Sequence, residues 1–595
     1  MSSEIADKLS EQTRGLVSRF EGRVAKFAGR TDLLGLLRPL DRKAADDFAR
    51  EYFGEGEHLA IGIDGSRDFD ERLQMMLFYA NATGYSCPFY VGEEMTFDLA
   101  RASRSLRLSV SAAIPLWAED FSDVLPDLPE VELELEYSMQ RIPNSFMTLA
   151  ELYLGIKATE KARIVFMDRP LSGTYSTLAR DARLLMKSGS TNLSELPGQQ
   201  NRDTMMDLTL AINIGAPLLA LPSRRRFATH RAIRELMKGE LSRAELASRL
   251  SLDERQISGV VKSLKRLDEK HAGGLLEDVD GATIRLRGGV KDYWNHSVAL
   301  AESYAQRVYE RGEPPLNLGG NDEWLTILDV NTISLIMLQR LCQLSLQRKV
   351  MLVGIAKDTT ATDISRAVLP FAESKGMVHL RSRAPGLNND RAFLSILSGM
   401  NREFQIPWRT AGYDSAFSTI FAPRGKEVGE ESRFRPARKV VSREELFVRG
   451  YFQSRSLGSS GKIRSQVFLF DRTFDPASDS GSLGSLEVEE SAGRVVVTPY
   501  YESGPLSPSS NLILRILSLT DNPEVYEAFG HNQLLYLADK AVKSEIRLMR
   551  SSLRGVADLR LGAIAKREQV YGIMTPYRDQ RSEAEASRMR EASRS

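Results

Sequence analysis

The fold of this chain is set by a short stretch near its N-terminus, His58-Leu59-Ala60-Ile61-Gly62-Ile63-Asp64-Gly65-Ser66. Residues 58–63 are apolar and predict a short buried strand, and Asp64-Gly65-Ser66 predicts a polar turn that ends it. An aspartate in that place is usually a turn or capping residue. Asp64 therefore indicates a function only if other carboxylates come to the same place.

Further along the chain, acidic and basic side chains follow similar strands. Arg163 to Met167 is a second compact apolar strand, and it is closed by Asp168. The segment before it has helical spacing and carries Glu151, and a strong buried strand at 349–355 leads to Lys357. Strands that end together bring such side chains to one edge of a sheet. Each residue alone is more often structural, and a Lys past a strand is usually solvated.

The remaining pattern alternates helices and strands. Residues 1–45 have the spacing of an amphipathic helix, 86–117 that of a strand meander, and 326–346 that of a buried helix. Later strands are predicted at 462–471 and 494–501, and later helices at 511–518 and 533–549. Asp539 lies on the last of these helices. The sequence thus predicts an α/β fold with a mixed sheet flanked by helices.

The composition describes an ordinary globular protein without an overall charge bias. The chain has 595 residues, and 80 Lys and Arg against 79 Asp and Glu leave a formal net charge of +1, so affinity for nucleic acid must come from local patches. Two cysteines, Cys87 and Cys342, are too few for a disulfide framework or a cysteine zinc site. No signal peptide or membrane span is recognisable. We expect a cytoplasmic protein that does not bind membranes.

Residues 223–291 have the pattern of an inserted module. Helices are predicted at 229–237, after the capping pattern at 242–245, and at 253–267, and a strand, an Asp-Gly turn and a strand follow at 275–286. This is the order of a winged helix-turn-helix. Residues 223–291 hold 16 Lys and Arg against 10 Asp and Glu, and this basic excess favours binding to DNA; binding to a protein partner is the alternative. The predicted DNA-binding residues are Arg255, Lys262, Lys265, Arg266, Arg285 and Arg287.

The carboxylates suit phosphodiester hydrolysis. Cleavage at neutral pH needs an activated nucleophile and neutralisation of charge on the attacking and leaving oxygens. Two divalent ions held by carboxylates supply both, and oxygen ligands suit Mg²⁺ or Mn²⁺. A nearby lysine would add stabilisation of phosphate charge, and His531 is a candidate general acid or ligand with a helix-capping role as the alternative.

Around these residues the sequence resembles the NurA-domain nucleases, a family with an RNase H-like core. The resemblance spans most of 50–550, in the family's order, once the insertion is set aside. The matching pieces are Ile61-Gly62-Ile63-Asp64-Gly65-Ser66, Glu151 ahead of Phe166-Met167-Asp168-Arg169-Pro170-Leu171, Val353-Gly354-Ile355-Ala356-Lys357-Asp358, residues 447–470, and Gly530-His531-Asn532-Gln533-Leu534-Leu535-Tyr536-Leu537-Ala538-Asp539-Lys540. The family usually starts the last piece with a Tyr-Pro-type turn and lacks the insertion, so the chain resembles a divergent member.

The resemblance implies an RNase H-like mixed sheet and DNA cleavage that depends on two Mn²⁺ or Mg²⁺ ions. The implied metal ligands are Asp64, Glu151, Asp168 and Asp539. Lys357 would face the scissile phosphate. The resemblance also implies a homodimer that works with a HerA-type hexameric ATPase in DNA end processing, repair or defence. This sequence has no P-loop motif, so ATP-driven movement would come from that partner.

These inferences divide the chain into five parts. They are an N-terminal helical segment (1–45), two parts of a nuclease core (46–222 and 292–550), the inserted winged helix-turn-helix (223–291) and a basic C-terminal helix with a disordered tail (551–595). Two alternatives to the nuclease stay open. One is an inactive nuclease-like protein that regulates or binds DNA through its winged helix. The other is a different RNase H-fold enzyme, such as a transposase or a guide-dependent nuclease.

Overall fold

The computed structural model of the chain contains strands at short apolar runs and helices at longer apolar or amphipathic runs. The structure describes residues 2–568 except 28–29, 73–74, 126–134, 190, 197–203, 223, 279–282, 318–323, 381–386, 388, 401–404, 423–433, 437–442, 458–462, 480–484, 491–492, 503–507, 523 and 526–527. The helices are α1 (Ser2–Ala25), α2 (Arg42–Phe53), α3 (Phe121–Val124), α4 (Leu135–Ala158), α5 (Leu171–Ser188), α6 (Thr204–Asn213), α7 (Ala228–Leu236), α8 (Arg243–Leu250), α9 (Glu254–Lys270), α10 (Tyr293–Tyr309), α11 (Ile327–Gln347), α12 (Leu369–Ser374), α13 (Asp390–Met400), α14 (Pro508–Leu519) and α15 (Gln533–Glu568).

The strands range from two residues to seventeen, and the two longest form a hairpin. They are β1 (Leu37–Pro39), β2 (Gly56–Arg72), β3 (Met75–Val91), β4 (Met95–Phe97), β5 (Ser103–Trp117), β6 (Ile164–Met167), β7 (Leu241–Ser242), β8 (Leu276–Asp278), β9 (Thr283–Leu286), β10 (Met351–Ala356), β11 (Trp408–Thr410), β12 (Tyr413–Asp414), β13 (Ile420–Phe421), β14 (Arg435–Pro436), β15 (Phe447–Gln453), β16 (Ser456–Leu457), β17 (Ile463–Arg464), β18 (Phe468–Thr473), β19 (Leu486–Glu490) and β20 (Gly493–Val497).

A mixed sheet forms the centre of the fold. Its strands lie in the order β1-β11-β15-β18-β10-β6-β2-β3-β4, with β12 beside β15 and β5 beside β3. β6 pairs in parallel with β2 on one side and with β10 on the other. Parallel strands are buried on both faces: Val165 and Met167 of β6 join the apolar cluster of α4, α5 and α11, and Ile164 and Phe166 join that of α2 and α14. The expected mixed sheet flanked by helices is confirmed.

The strand that contains Asp64 continues well beyond it. β2 runs on to Arg72, and every residue from Gly56 onward pairs with β3 in one antiparallel register that places Asp64 opposite Thr83. The predicted turn at 64–66 is therefore wrong. Asp-Gly-Ser favours turns locally, but pairing along a long and largely buried partner strand outweighs that preference.

A glycine lets the last long helix lie directly on β2. An added Cβ at Gly62 would be 2.7 Å from Cβ of Leu534 and 3.0 Å from the carbonyl carbon of the same residue, near the start of α15. Side chains two residues apart on a strand share one face, so Asp64 points to the same side as this contact. α15 thereby passes over Asp64.

Residues 225–286 form a unit of three helices and a small sheet. α7, α8 and α9 are followed by the β8–β9 hairpin, and β7 completes the sheet in the order β7-β9-β8. Ser242 and Glu245 make the capping box that the sequence predicts at the start of α8. A buried ion pair between Arg224 and Glu444, 2.6 Å long, lies at the junction with the rest of the chain. The helices and the hairpin thus occur in the predicted order.

The ends of the chain differ from the sequence-based expectation. The helix expected over 1–45 stops at Ala25, and β1 and the start of α2 follow within that segment. α15 continues through residue 550 to Glu568. The tail expected after 575 lies outside the described residues. Within the residues that the structure describes, no helix has the length and apolar character needed to span a membrane.

Candidate active site

The candidate site lies where the parallel strands β6 and β10 end beside the longer β2. The register aligns Ile63 of β2 with Met167 of β6, and Met167 with Gly354 of β10. Asp168 directly follows Met167, and its backbone N–H donates to the carbonyl of Ile63 at 3.1 Å. Because β6 and β10 end beside the middle of β2, Asp168 and Lys357, which follow those two strands, come to the same place as Asp64.

Asp64 is a strongly perturbed carboxyl group of this edge. Only 6% of the residue is exposed, and the backbone N–H of Gly65 donates to its Oδ1 at 2.8 Å. Burial, together with the nearby Asp168, Glu151 and Asp539, raises the pKa of Asp64 to about 9, and Lys357 only partly opposes this increase. The surroundings of Asp64 therefore hold more negative charge than the described cations balance.

Lys357 neutralises the second carboxylate. Its Nζ donates to Oδ2 of Asp168 at 2.6 Å. Burial lowers the pKa of Lys357, but the neighbouring Asp168, Asp64 and Asp539 outweigh it, and the pKa is raised above its ordinary value. The lysine therefore stays charged and pairs with Asp168.

Glu151 reaches the site from α4. It is 1% exposed, and burial raises its pKa, while an ion pair with Arg169 opposes the increase. Arg169 also donates to Oγ1 of Thr148 at 2.9 Å. A Cβ at Gly65 would collide with the Glu151 carboxylate, so the glycine leaves room for Glu151 against β2. The sequence identified Glu151, but not Arg169 as its partner.

Asp539 lies on α15, and His531 lies in the turn before this helix. Asp539 pairs with Lys543 one turn along the helix at 2.7 Å and contributes to the potential at Asp64. His531 is buried and stacks on Phe468 with ring centroids 5.4 Å apart. Burial, together with Lys357, lowers the pKa of His531 to about 3. Neither ring nitrogen has a hydrogen-bond partner among the described residues, so the structure places His531 in a neutral, packed position.

The donor set at this edge has the chemistry of a site for a hard divalent cation. All four acidic groups offer oxygen atoms, which Mg²⁺ and Mn²⁺ prefer, and Asp64 lies in uncompensated negative potential. Among the described residues, no three His, Cys, Asp or Glu side chains form a ready-made metal-binding group. Two of the carboxylates are instead engaged in ion pairs, Glu151 with Arg169 and Asp168 with Lys357.

The basic residues of the three-helix unit fall into two groups. Arg255, Lys262 and Arg266 are exposed along one side of α9, with no ion-pair partner within the described part of the chain. Arg285 instead pairs with Glu240, and Arg287 donates to the carbonyl of Leu276 at 3.1 Å. Lys265 is half-buried. The α9 side is therefore the more open basic surface of the unit.

Comparisons with known proteins find similarity at the level of the backbone. No family model matches the chain, and no curated protein matches it. A crystal structure of NurA with manganese is similar at a TM-score of 0.36 and 13% identity, covering 92% of this chain and 98% of that one. The NurA nuclease from Sulfolobus solfataricus gives 0.31 and 12%, covering 93% and 97%, and NurA bound to dAMP and manganese gives 0.31 and 12%, covering 84% and 90%.

Proposed function

We propose that the chain is a divalent-metal-dependent DNA nuclease with an RNase H-like core of the NurA type. The observation that carries this is the buried Asp64, which lies among Asp168, Glu151 and Asp539 with its pKa raised to about 9. A fold retains such unfavourable burial of charge most readily where a function requires it. A bound cation would balance this charge, so the donor set and its electrostatics point to the same use.

The proposed ligands are the four carboxylates of the site: Asp64, Glu151, Asp168 and Asp539. A divalent ion there would supply an activated water and charge neutralisation on the phosphate. Lys357, held at this edge by Asp168, is placed to stabilise negative charge on a bound phosphate. His531 is buried and without a described partner, so we assign it to packing against Phe468 instead of proton transfer.

Metal dependence gives the first prediction. Purified protein incubated with linear single- and double-stranded DNA is expected to cleave in the presence of Mn²⁺ or Mg²⁺ and to stop when excess EDTA is added. The reason is that a divalent ion held by these carboxylates would both activate the attacking water and neutralise charge on the phosphate. Product length on denaturing gels measures the activity. Absence of cleavage with either ion would favour the alternative of an inactive nuclease-like protein that only binds DNA.

The three-helix unit is proposed to be a winged helix-turn-helix that contacts DNA. Its helices, followed by a hairpin with the order β7-β9-β8, support that identification. On α9, the small residues Ser258 and Gly259 lie exposed between the exposed Arg255 and Lys262, which gives phosphates close access to the helix. Basic side chains of this kind contribute affinity that depends on salt concentration.

We therefore expect the triple substitution Arg255→Ala, Lys262→Ala and Arg266→Ala to weaken DNA binding and to flatten its salt dependence. Each lost phosphate contact lowers the slope of log affinity against log salt concentration by about 0.9, so the slope should fall by roughly two to three. Fluorescence anisotropy with labelled duplex at several salt concentrations measures this slope.

The control for this prediction removes the same number of exposed basic residues from outside the unit. Arg42, Lys43 and Lys161 are exposed and lie on other parts of the fold. Their replacement by Ala should leave the slope within error of the unmodified protein. An equal change in both triple variants would mean that α9 has no special part in DNA binding.

The proposed biological setting is DNA end processing, repair or defence in the cytoplasm, with a HerA-type hexameric ATPase and a homodimeric nuclease. This follows from the resemblance of the sequence motifs to NurA-domain nucleases. The lack of a P-loop motif means that translocation would come from the ATPase. Sedimentation of the protein alone and with such an ATPase tests both assemblies.

A further inference from the structure

A buried aspartate on β18 holds the segment that carries Asp168. Asp471 is fully buried, and its two carboxylate oxygens accept three hydrogen bonds from the start of α5. The donors are the N–H of Leu171 at 2.8 Å, the N–H of Ser172 at 2.9 Å and the hydroxyl of Ser172 at 2.6 Å. Asp471 thereby caps a helix that begins 300 residues earlier in the chain.

The capped helix begins three residues after Asp168. Asp168 is fixed at its other side, because it directly follows β6 and its N–H bonds to Ile63 of β2. The connection through Arg169 and Pro170 is therefore held at both ends, by the sheet and by Asp471. Asp168 and Arg169 engage Lys357 and Glu151 respectively, so the position of this short connection controls both pairs.

A glycine on the neighbouring strand brings these groups into contact. Gly354 of β10 lies opposite Asp471 of β18 in the antiparallel register. A Cβ there would be 2.5 Å from both the carbonyl oxygen of Arg169 and Oδ1 of Asp471, and 2.8 Å from Cγ of Leu171. There is thus no space for one extra carbon at Gly354, where β10 packs against the capping carboxylate and the connection after Asp168.

We propose that Asp471 is a positioning residue for the active site: it fixes the connection that presents Asp168 and Arg169 to the other site residues. The inference rests on the proposed nuclease function. Asp471 itself contacts the backbone and Ser172, so its effect on catalysis passes through Asp168. Residues that orient metal ligands typically change metal affinity or activity by about 10- to 100-fold when they are replaced.

The test is Asp471→Asn in the full-length protein. Asn keeps the shape of the side chain but replaces one accepting oxygen by an NH₂ group, so at least one of the three hydrogen bonds is lost. We expect kcat for DNA cleavage to fall about 10-fold or more and the Mn²⁺ concentration for half-saturation to rise about 10-fold, with KM for DNA changed less than about 2-fold. Mn²⁺ binding is also measured directly by calorimetry, without DNA.

The matched control is Asp414→Asn. Asp414 is equally buried and accepts from the N–H groups of Ala416, Glu445 and Tyr500. It lies on β12, which is separated from β6 by β15, β18 and β10, about 20 Å at ordinary strand spacing. A purely structural role for Asp471 predicts that both variants show the same decrease in melting temperature and keep the kcat and Mn²⁺ affinity of the unmodified protein. That result would overturn the proposal.

A second, milder variant covers the case in which Asp471→Asn does not fold. Ser172→Ala removes one hydrogen bond and leaves both backbone bonds to Asp471 intact. It should give a smaller shift in the same direction for Mn²⁺ affinity, and an unchanged affinity would count against the proposal. If the unmodified protein binds Mn²⁺ but does not cleave DNA, the nuclease proposal fails, whereas the positioning role is still decided by the Mn²⁺ affinities of the variants.

Discussion

Asp64→Asn is expected to abolish DNA cleavage while making the metal-free protein more stable. Asp64 is the most central of the proposed ligands, so its loss should lower kcat at least about 10³-fold, which corresponds to roughly 4 kcal/mol of transition-state stabilisation. The same carboxylate is buried near three others, and its pKa is raised to about 9 because the charged form is unfavourable there. A neutral amide removes the cost of burying that charge and the repulsion from the other carboxylates, so the melting temperature without metal should rise.

Opposite changes in activity and stability separate a functional residue from a structural one. The control is Asp70→Asn on the same strand, because Asp70 is also buried but lies beside Arg550 at 3.8 Å instead of the carboxylates. This variant should retain cleavage within a few fold and should not gain stability. Full activity of Asp64→Asn would refute the site, whatever its melting temperature.

Gly354→Ala is expected to destabilise the fold and to impair the site together. The added Cβ would be 2.5 Å from the Arg169 carbonyl oxygen, a backbone atom that cannot move without shifting the connection after Asp168. Overpacking of this kind costs about 1–3 kcal/mol. Because the strain falls on the segment that presents Asp168, we expect cleavage to fall about 10-fold or more even in the fraction that is folded.

Denaturant unfolding and cleavage assays at low temperature measure the two effects. Gly399→Ala is the control: Gly399 lies in α13, and an added Cβ there would have no neighbour within 4 Å. Since Ala is favoured over Gly inside helices by up to about 1 kcal/mol, this variant should be equal to or slightly more stable than the unmodified protein, with full activity. A Gly354→Ala protein with unchanged stability would contradict the packing described for β10.

The strands β6 and β10 and the charged residues that follow them could be predicted because their signals are local. Short apolar runs followed by an acidic residue identified the β6–Asp168 junction, and the run at 349–355 predicted β10 and placed Lys357 after it. The capping box of Ser242 and Glu245 likewise follows from four consecutive residues. Each of these features depends on neighbours along the chain.

The extension of β2 could not be predicted in the same way. Asp64-Gly65-Ser66 has the composition of a turn, and only the pairing with β3 shows why the backbone stays extended through Asp64 to Arg72. The consequence for the site is direct. Asp64 is held within a strand, opposite Thr83 and beneath α15, and not at the tip of a mobile loop.

The sequence by itself determined β6 and β10, the residues Asp168 and Lys357 that follow them, and the order of helices and strands in the three-helix unit, because these depend on the spacing of apolar and polar residues over short distances. Only the tertiary structure decided which charges meet. Arg169 with Glu151, Lys357 with Asp168, and Asp471 with the start of α5 join residues 18, 189 and 300 positions apart. Strand order and register determine these contacts, and register is a property of the whole sheet, not of any one segment.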